Sequence, residues 1–179
     1  GDEITSFGAM AITDGVHFYL ALAERQADET LAVTFNRAGE GDSVEAKTAE
    51  LTLTAIPPLP AADVDVADLN PGVWMELFAG DWDVLPDFDA IEPGQWGVSP
   101  TISLAEVPAD IVDTFGATFE GYIQVPAEGL YTFYTTSDDG SNLFIDDQLV
   151  VNNDGLHGAV ETSGMVRLEA GLHAIRVTY

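Results

Sequence analysis

Two turns rich in oxygen-bearing side chains lie close together in the second half of the sequence. Carboxylate and amide oxygens are the ligands that Ca²⁺ prefers, and the ion takes about six to eight of them. The sequence therefore predicts a Ca²⁺ site, with Ca²⁺ as the cofactor and ligands from both turns. The candidate metal ligands are Asp138, Asp139, Asn152, Asn153 and Asp154.

A predicted β-hairpin explains how the two turns meet. Apolar residues 143–145 and 149–151 are joined by turn-forming residues 146–148, which is a hairpin pattern. The outer ends of two antiparallel strands lie at one edge of a sheet, so the turns beyond them come together. The competing interpretation is plainer, because Asp-Gly pairs also form ordinary turns that bind nothing.

A histidine and two tryptophans complete the candidates for ligand binding. His157 follows the second turn, where it either contacts a ligand or fixes the loop by hydrogen bonds, and we favour the second role. Trp82 and Trp96 would stack on a sugar, although aromatic side chains in β-sandwiches more often lie in the core or at an interface. We assign Trp74 to the core. The predicted ligand-binding set is Asp138, Asp139, His157, Trp82 and Trp96.

Composition excludes several classes of function. The chain has 31 acidic and 5 basic residues and a formal net charge of −26, whereas phosphate contacts with nucleic acids need a basic surface. No apolar run approaches the length of a membrane span, so membrane insertion is not expected. The sequence has no cysteine, which excludes disulfide and thiol chemistry. Catalytic motifs are also missing, and the sequence predicts a protein that is not an enzyme.

The pattern of strands predicts an all-β fold. Apolar and polar residues alternate through residues 118–125 and 130–136, and a Pro-Ala-Glu-Gly turn separates the two runs. Short strand-like runs also occur in the first third of the chain, at residues 30–35 and 51–54. Several short strands divided by turn residues, with a hairpin among them, indicate antiparallel pairing.

Four stretches of the sequence resemble a known family of β-sandwiches. They read GYIQVPAEGLYTF, TTSDDGSNLFIDDQLVV, NNDGLHG and GMVRLEAGLHAIRVTY. Together they resemble the protective-antigen and flocculin type of domain, the "PA-fourteen" family, over residues 72–179. In the yeast adhesin branch of that family, two adjacent aspartates joined by a cis peptide bind Ca²⁺, and the ion binds a sugar. Asp138 and Asp139 match that pair, so the resemblance implies the same site here.

The first third of the chain resembles the tail of such a domain. The segment that begins at Gly8 aligns with the one that begins at Gly164, and Gly15 and His17 then fall on Gly171 and His173. We predict that residues 1–56 form strands that complete a sandwich of the same or an adjacent copy. Residues 57–71 are predicted to be a Pro/Asp-rich linker, and residues 72–179 the sandwich. The alternative is an unrelated N-terminal β-subdomain.

Three functions are consistent with these features. The first is a non-catalytic, adhesive module of a repeat-type surface or matrix protein, located outside the cell or at its surface and binding a cell-surface glycan through Ca²⁺. The second is a structural subunit of an extracellular filament, in which copies of the chain join head to tail by strand complementation. The third is an accessory domain of a secreted hydrolase.

Overall fold

The computed structural model describes residues 2–13, 18, 21, 25, 27–38, 44–109, 111 and 114–179. It contains two compact units, Gly1–Ile56 and Pro57–Tyr179. Gly15 and His17, two of the residues on which the predicted repeat depends, lie outside the described residues. In the part of the chain that the structure describes, no helix is long and apolar enough to cross a membrane.

The first unit is an antiparallel sheet with the strand order β2-β1-β3-β4. Alternation along β3 places Leu31 and Val33 on one face, where they form a small core with Phe7 and Ala21. The edge strand β4 is exposed along its whole length. The strands are β1 (Glu3–Phe7), β2 (Met10–Ala11), β3 (Thr30–Ala38) and β4 (Val44–Thr52).

The second unit is built from two antiparallel sheets. The larger has the order β10-β9-β12-β7-β5-β6, and the smaller pairs β11 with β8. The strands are β5 (Val73–Ala79), β6 (Gln95–Ser99), β7 (Phe115–Val125), β8 (Gly129–Ser137), β9 (Ser141–Ile145), β10 (Gln148–Asn153), β11 (Val160–Leu168) and β12 (Gly171–Thr178). Three short 3₁₀ helices lie at Val66–Asp68, Phe88–Ala90 and Leu104–Glu106.

The core of the second unit forms from apolar residues of both sheets. Phe119 and Val177 of the large sheet belong to the same buried cluster as Val166 and Leu168 of the small sheet. Inward and outward positions alternate along these strands, as two facing sheets require. The prediction of an all-β, antiparallel β-sandwich is confirmed.

The hairpin of β9 and β10 is anchored to the central strand β12 through its turn. Asp146 and Asp147 both have positive φ angles, which suits a two-residue hairpin turn. The Asp146 carboxylate accepts a hydrogen bond from the Ala174 backbone N–H at 2.9 Å and lies 2.6 Å from His173 Nδ1. His173 is fully buried, and its Nε2 lies 3.1 Å from the Glu169 carbonyl oxygen. His173 is therefore structural.

A bulge in β10 brings the two sheets into contact along one side of the sandwich. The pairing of β10 with β9 shifts register between Leu149 and Val151, which leaves Val150 as the extra residue. A Cβ atom placed on Gly164 of β11 would lie 1.7 Å from the Val150 carbonyl oxygen. Only glycine allows this close approach of β10 to β11.

The last strand of the second unit, β12, is not an edge of its sheet. It pairs with β7 on one side and with β9 on the other, so it has no free side for a further strand. Completion of a sandwich of the same or an adjacent copy by residues 1–56 stays a prediction.

The predicted repeat is not supported at its first glycine pair. Gly8 lies in the turn between β1 and β2 with a φ of 61°, whereas Gly164 lies within β11. Position 8 favours glycine because its φ is positive, whereas position 164 requires glycine because a side chain there would collide with β10. The two glycines therefore meet different physical requirements.

The first residues after the N-terminal unit are attached to the sandwich. Leu59 forms a parallel bridge with Leu168, and the Ala62 N–H donates a hydrogen bond to the Leu172 carbonyl at 2.7 Å. These residues belong to the predicted linker, yet they extend the second unit. Trp74 also differs from its assignment to the core: alternation in β5 turns Met75 inward and Trp74 outward, leaving it 43% exposed.

The contact of Gly164 with Val150 predicts a large difference between two glycine-to-alanine variants. Gly164→Ala forces β10 away from β11 and should lower the free energy of unfolding of the second unit by about 1–3 kcal/mol. Gly97→Ala is the matched control, since Gly97 is also within a strand but its added Cβ would meet no atom within 4 Å. Denaturant unfolding followed by tryptophan fluorescence measures the difference, because all three tryptophans lie in the second unit. Equal midpoints for the two variants would contradict the proposed packing of β10 on β11.

Candidate functional site

The two oxygen-rich turns face each other at one end of the β9–β10 hairpin. Ser141 pairs with Asn153 at the ends of the two strands, so the turn before β9 and the turn after β10 lie at the same edge. The turns are in close contact, because a Cβ on Gly140 would lie 2.9 Å from the Gly155 backbone nitrogen. They form one wall of a pocket of about 470 Å³.

The first turn presents two adjacent aspartates to this pocket. The peptide bond between Asp138 and Asp139 is cis, as the family resemblance implies. The Asp138 carbonyl oxygen accepts a hydrogen bond from the Tyr179 hydroxyl at 2.6 Å. One carboxylate oxygen of Asp139 accepts the His157 backbone N–H at 3.0 Å. Backbone and side-chain contacts therefore hold the turn in place from both sides.

His157 fixes the second turn through its imidazole ring. Its Nε2 lies 2.9 Å from the Asn153 carbonyl oxygen, and its Nδ1 lies 2.9 Å from the Gly158 carbonyl oxygen. Hydrogen bonds to these carbonyls raise the pKa of His157, and the charges of Asp139 and Asp138 add to the effect. With both ring nitrogens bound to the backbone, His157 fits the loop-fixing role that we favour from the sequence.

Asp154 connects the second turn to another part of the pocket wall. Its Oδ1 accepts hydrogen bonds from the backbone N–H groups of Leu85 at 2.8 Å and of Gly155 at 2.7 Å. Leu85 belongs to the segment between β5 and the Phe88–Ala90 helix, which contributes residues 80–86 to the pocket. This segment thus becomes part of the site although it is distant in sequence.

The two neighbouring asparagines have different roles, and neither lines the pocket. The Asn153 side chain is buried: its amide donates to Ser137 Oγ at 3.0 Å, and its Oδ1 accepts from Thr162 Oγ1 at 2.5 Å. Asn152 is exposed, and its Oδ1 accepts the Asp154 N–H at 3.2 Å. Both predicted side-chain ligands are thus engaged in hydrogen bonds that shape the turn.

The two tryptophan candidates are not in the same place. Trp82 lines the pocket, where its indole lies over Gly80 and makes an edge-to-face contact with Phe88 at 6.0 Å between ring centroids. Trp96 lies in the edge strand β6, is 62% exposed and does not line the pocket. Trp82 alone is therefore placed to contact a ligand bound there.

Three further residues that line the pocket were not predicted from the sequence. Asp81 and Asp83 flank Trp82 and line the pocket. Tyr179 also lines it, and burial, followed by the charges of Asp139 and Asp138, raises the pKa of its hydroxyl. The run of aspartates from residue 81 to 89 was the available signal for the first two. The sequence offered none for Tyr179, whose role depends on a contact with Asp138.

The pocket has an all-oxygen donor set of the type that suits Ca²⁺. The carboxylate of Asp138, and one oxygen each of Asp139 and Asp154, have no hydrogen-bond partner among the described residues. Within those residues, no three acidic or histidine side chains converge closely enough to hold a metal alone. A bound Ca²⁺ would thus draw its other oxygens from the backbone, water or a ligand.

The roles of the asparagines predict opposite outcomes for two variants. Asn153→Ala removes the hydrogen bonds that the buried Asn153 amide makes with the Ser137 and Thr162 hydroxyls and should cost about 1–3 kcal/mol of stability. Asn152→Ala removes one long, exposed hydrogen bond and should cost at most about 1 kcal/mol. Denaturant unfolding measures both. A larger loss for Asn152→Ala than for Asn153→Ala would show that the assignment is wrong.

Comparison with known proteins supports the fold, and the matched residues include the candidate site. A family model described as the PA14 domain matches residues 69–179. The crystal structure of the PA14 domain of the antifreeze protein MpAFP is similar with a TM-score of 0.51 and 20% identity, over 66% of this chain and 80% of that one. A β-glucosidase from Kluyveromyces marxianus in complex with glucose is similar with a TM-score of 0.51 and 20% identity, over 65% of this chain and 15% of that one.

At these identities, the two structures show a shared fold and nothing more. No curated protein matches the sequence. The family model, in contrast, covers more than half of the chain, including both turns of the pocket. The chain therefore belongs to the PA14 domain family, the family that its sequence motifs resemble.

Proposed function

We propose that the second unit is a non-catalytic module that binds Ca²⁺ and, through the ion, a glycan outside the cell or at its surface. The observation that carries this proposal is the meeting of Asp138 and Asp139 with Asp154 at one pocket. Each of these aspartates keeps at least one oxygen outside the hydrogen bonds of the described residues. A bound Ca²⁺ would offer coordination positions to the hydroxyl oxygens of a sugar.

The electrostatics of the pocket favour a cation. Five aspartates line it: Asp81, Asp83, Asp138, Asp139 and Asp154. A concave site lined by charges of one sign concentrates the opposite ion, and a chain of net charge −26 adds to that field. We therefore assign the ligating role to Asp138, Asp139 and Asp154, together with backbone, water or glycan oxygens, because acidic side chains alone do not converge closely enough among the described residues to hold an ion. Asp81 and Asp83 provide a longer-range attraction.

The size and lining of the pocket suit a small glycan. Its volume of about 470 Å³ is within the range of about 300–1,000 Å³ that is usual for small-molecule sites. Trp82 provides an aromatic surface beside the carboxylates, and the apolar face of a pyranose packs well on such a surface. His157 and Tyr179 fix the backbone of the turns instead of contacting the sugar.

A second candidate function is that of an accessory domain in a secreted hydrolase. The K. marxianus β-glucosidase contains a region of this fold that amounts to 15% of its chain. That arrangement is consistent with a copy that acts beside a separate catalytic domain. The same calcium pocket would then hold a glycan near that domain.

The proposed site predicts that Ca²⁺ stabilises the second unit. At a free concentration one hundred times the dissociation constant, binding to the folded state alone adds about 2.7 kcal/mol. Asp139→Asn should abolish most of this gain, because it removes a charge while keeping an oxygen for the His157 N–H. Asp63→Asn is the control, since it removes the same charge from an exposed position away from the pocket. Thermal unfolding in a calcium titration measures the effect.

Glycan binding is tested separately from calcium binding. On a glycan array, the wild-type protein should bind in Ca²⁺ and lose that binding in EDTA, whereas Asp139→Asn should fail in both. An unchanged melting curve across millimolar Ca²⁺ would refute the metal site. Stabilisation by Ca²⁺ without any calcium-dependent glycan signal would refute the glycan role and leave a structural ion.

A further inference from the structure

The strand β8 has one side without a partner. It pairs with β11 along all nine residues, from Gly129 opposite Leu168 to Ser137 opposite Val160. No other described residue makes a backbone hydrogen bond to β8. Backbone groups of an antiparallel strand point alternately to its two sides, so about half of those in β8 face away from β11. The small sheet therefore ends in an open hydrogen-bonding edge.

This edge lacks the features that usually prevent strand addition. Its sequence, GLYTFYTTS, contains no charged residue and no proline, although one residue in five of the chain is charged. The edge strand β4 is equally long but carries Glu45, Lys47 and Glu50. Charges and prolines on edge strands are the common means of blocking further pairing. By this criterion β4 is protected and β8 is not.

An uncharged cleft of about 330 Å³ lies beside the second half of β8. Its wall includes residues 134–137 of β8, and Phe119, Ile175 and Val177 of the large sheet contribute apolar surface. Ile102 and Leu104 also line it. None of the lining side chains is charged, and the buried Thr135 Oγ1 there has no hydrogen-bond partner among the described residues.

The sandwich is closed on one side and open on the other. At the β11 side, the Val150 carbonyl of β10 packs against Gly164. At the β8 side, the cleft adjoins residues 134–137 of the strand. A strand added there would contact the exposed apolar side chains that line the cleft, which are Ile102, Leu104 and Tyr134.

We propose that the open edge of β8 and the adjoining cleft bind an extended peptide strand with apolar side chains at every second position and no charge on that face. A polypeptide in extended form carries N–H and C=O groups at the spacing that a strand edge requires. Its alternate side chains enter the cleft, where the lack of charged residues in the lining disfavours a charged side chain. The partner is thus recognised by its backbone and by its alternation.

A synthetic peptide tests this proposal. The probe is a fluorescein-labelled nine-residue peptide of alternating threonine and valine with a Gly-Ser tail, and fluorescence anisotropy measures its binding to the full chain. We expect saturable binding that weakens at least tenfold, equivalent to about 1.4 kcal/mol, when alternate backbone nitrogens are methylated. Replacing the valines by glutamates should weaken it as strongly. Equal affinity for the methylated peptide would overturn the proposal, as would the absence of saturable binding.

Variants of the protein locate the binding site. Leu104→Lys places a charge at the cleft wall and should weaken peptide binding about tenfold, a loss of about 1.4 kcal/mol. Val98→Lys is the matched control, because Val98 is an exposed apolar residue of the same unit outside the cleft. Both side chains are more than a third exposed, so neither variant removes a core contact. Equal binding by the two variants would overturn the assignment to the cleft.

Hydrogen exchange separates strand addition from other occupants. Bound peptide should slow amide exchange in residues 129–137 and leave β4 unchanged. Protection of β8 that instead rises with protein concentration alone, together with a dimer mass in sedimentation, would show that a second copy occupies the edge and would overturn the proposal of a separate peptide.

Discussion

The anchoring of the β9–β10 turn to β12 is the constraint on which the second unit depends. Asp146 holds the Ala174 backbone and the buried His173 ring, and this fixes one end of the hairpin against the middle of the large sheet. Pairing of β9 with β10, which includes the bulge at Val150, then sets Ser141 opposite Asn153 at the other end. The candidate calcium pocket lies directly beyond that pair, so its position follows from a contact at the opposite end of the hairpin.

At the pocket end of the hairpin, the buried side chain of Asn153 is neutral, whereas the exposed side chains include charged carboxylates. The neutral amide of Asn153 is buried and links β10 to Ser137 of β8 and Thr162 of β11. The carboxylates of Asp139 and Asp154 stay at the surface of the pocket and accept backbone N–H groups. Burying a charge costs far more than burying an amide that is fully hydrogen-bonded. Neutral groups therefore connect the strands, and charged groups are left for binding.

Local features of the sequence were enough to predict the hairpin and the meeting of the two turns. Apolar runs separated by turn residues have few alternative pairings, and antiparallel geometry then determines which ends come together. Alternation along β5 turns Trp74 outward and Met75 inward, so the strand pattern itself conflicts with the assignment of Trp74 to the core. The family resemblance contributed the aspartate pair and its cis peptide.

Other features depend on contacts that a single sequence does not reveal. A strict period of two would place Leu149, Val151 and Asn153 on the same face of β10. The bulge at Val150 breaks this period, so that Leu149 is exposed whereas Val151 and Asn153 are buried. The central position of β12 arises from pairing with β7 and β9, which are distant in sequence. Asp81 and Tyr179 reach the pocket in the same way, through tertiary contacts alone.

Tyr179 and the end of β8 connect the candidate calcium pocket with the cleft. Tyr179 lines both cavities, and Ser137, the last residue of β8, is followed directly by Asp138. Ser137 is already bound to Ser141 and Asn153, and the Asp138 carbonyl to the Tyr179 hydroxyl. One ligand alters the affinity for another only if it favours a different state of the protein. Because these hydrogen bonds position the turn without a strand on β8, occupation of the two sites should be nearly independent despite their shared wall.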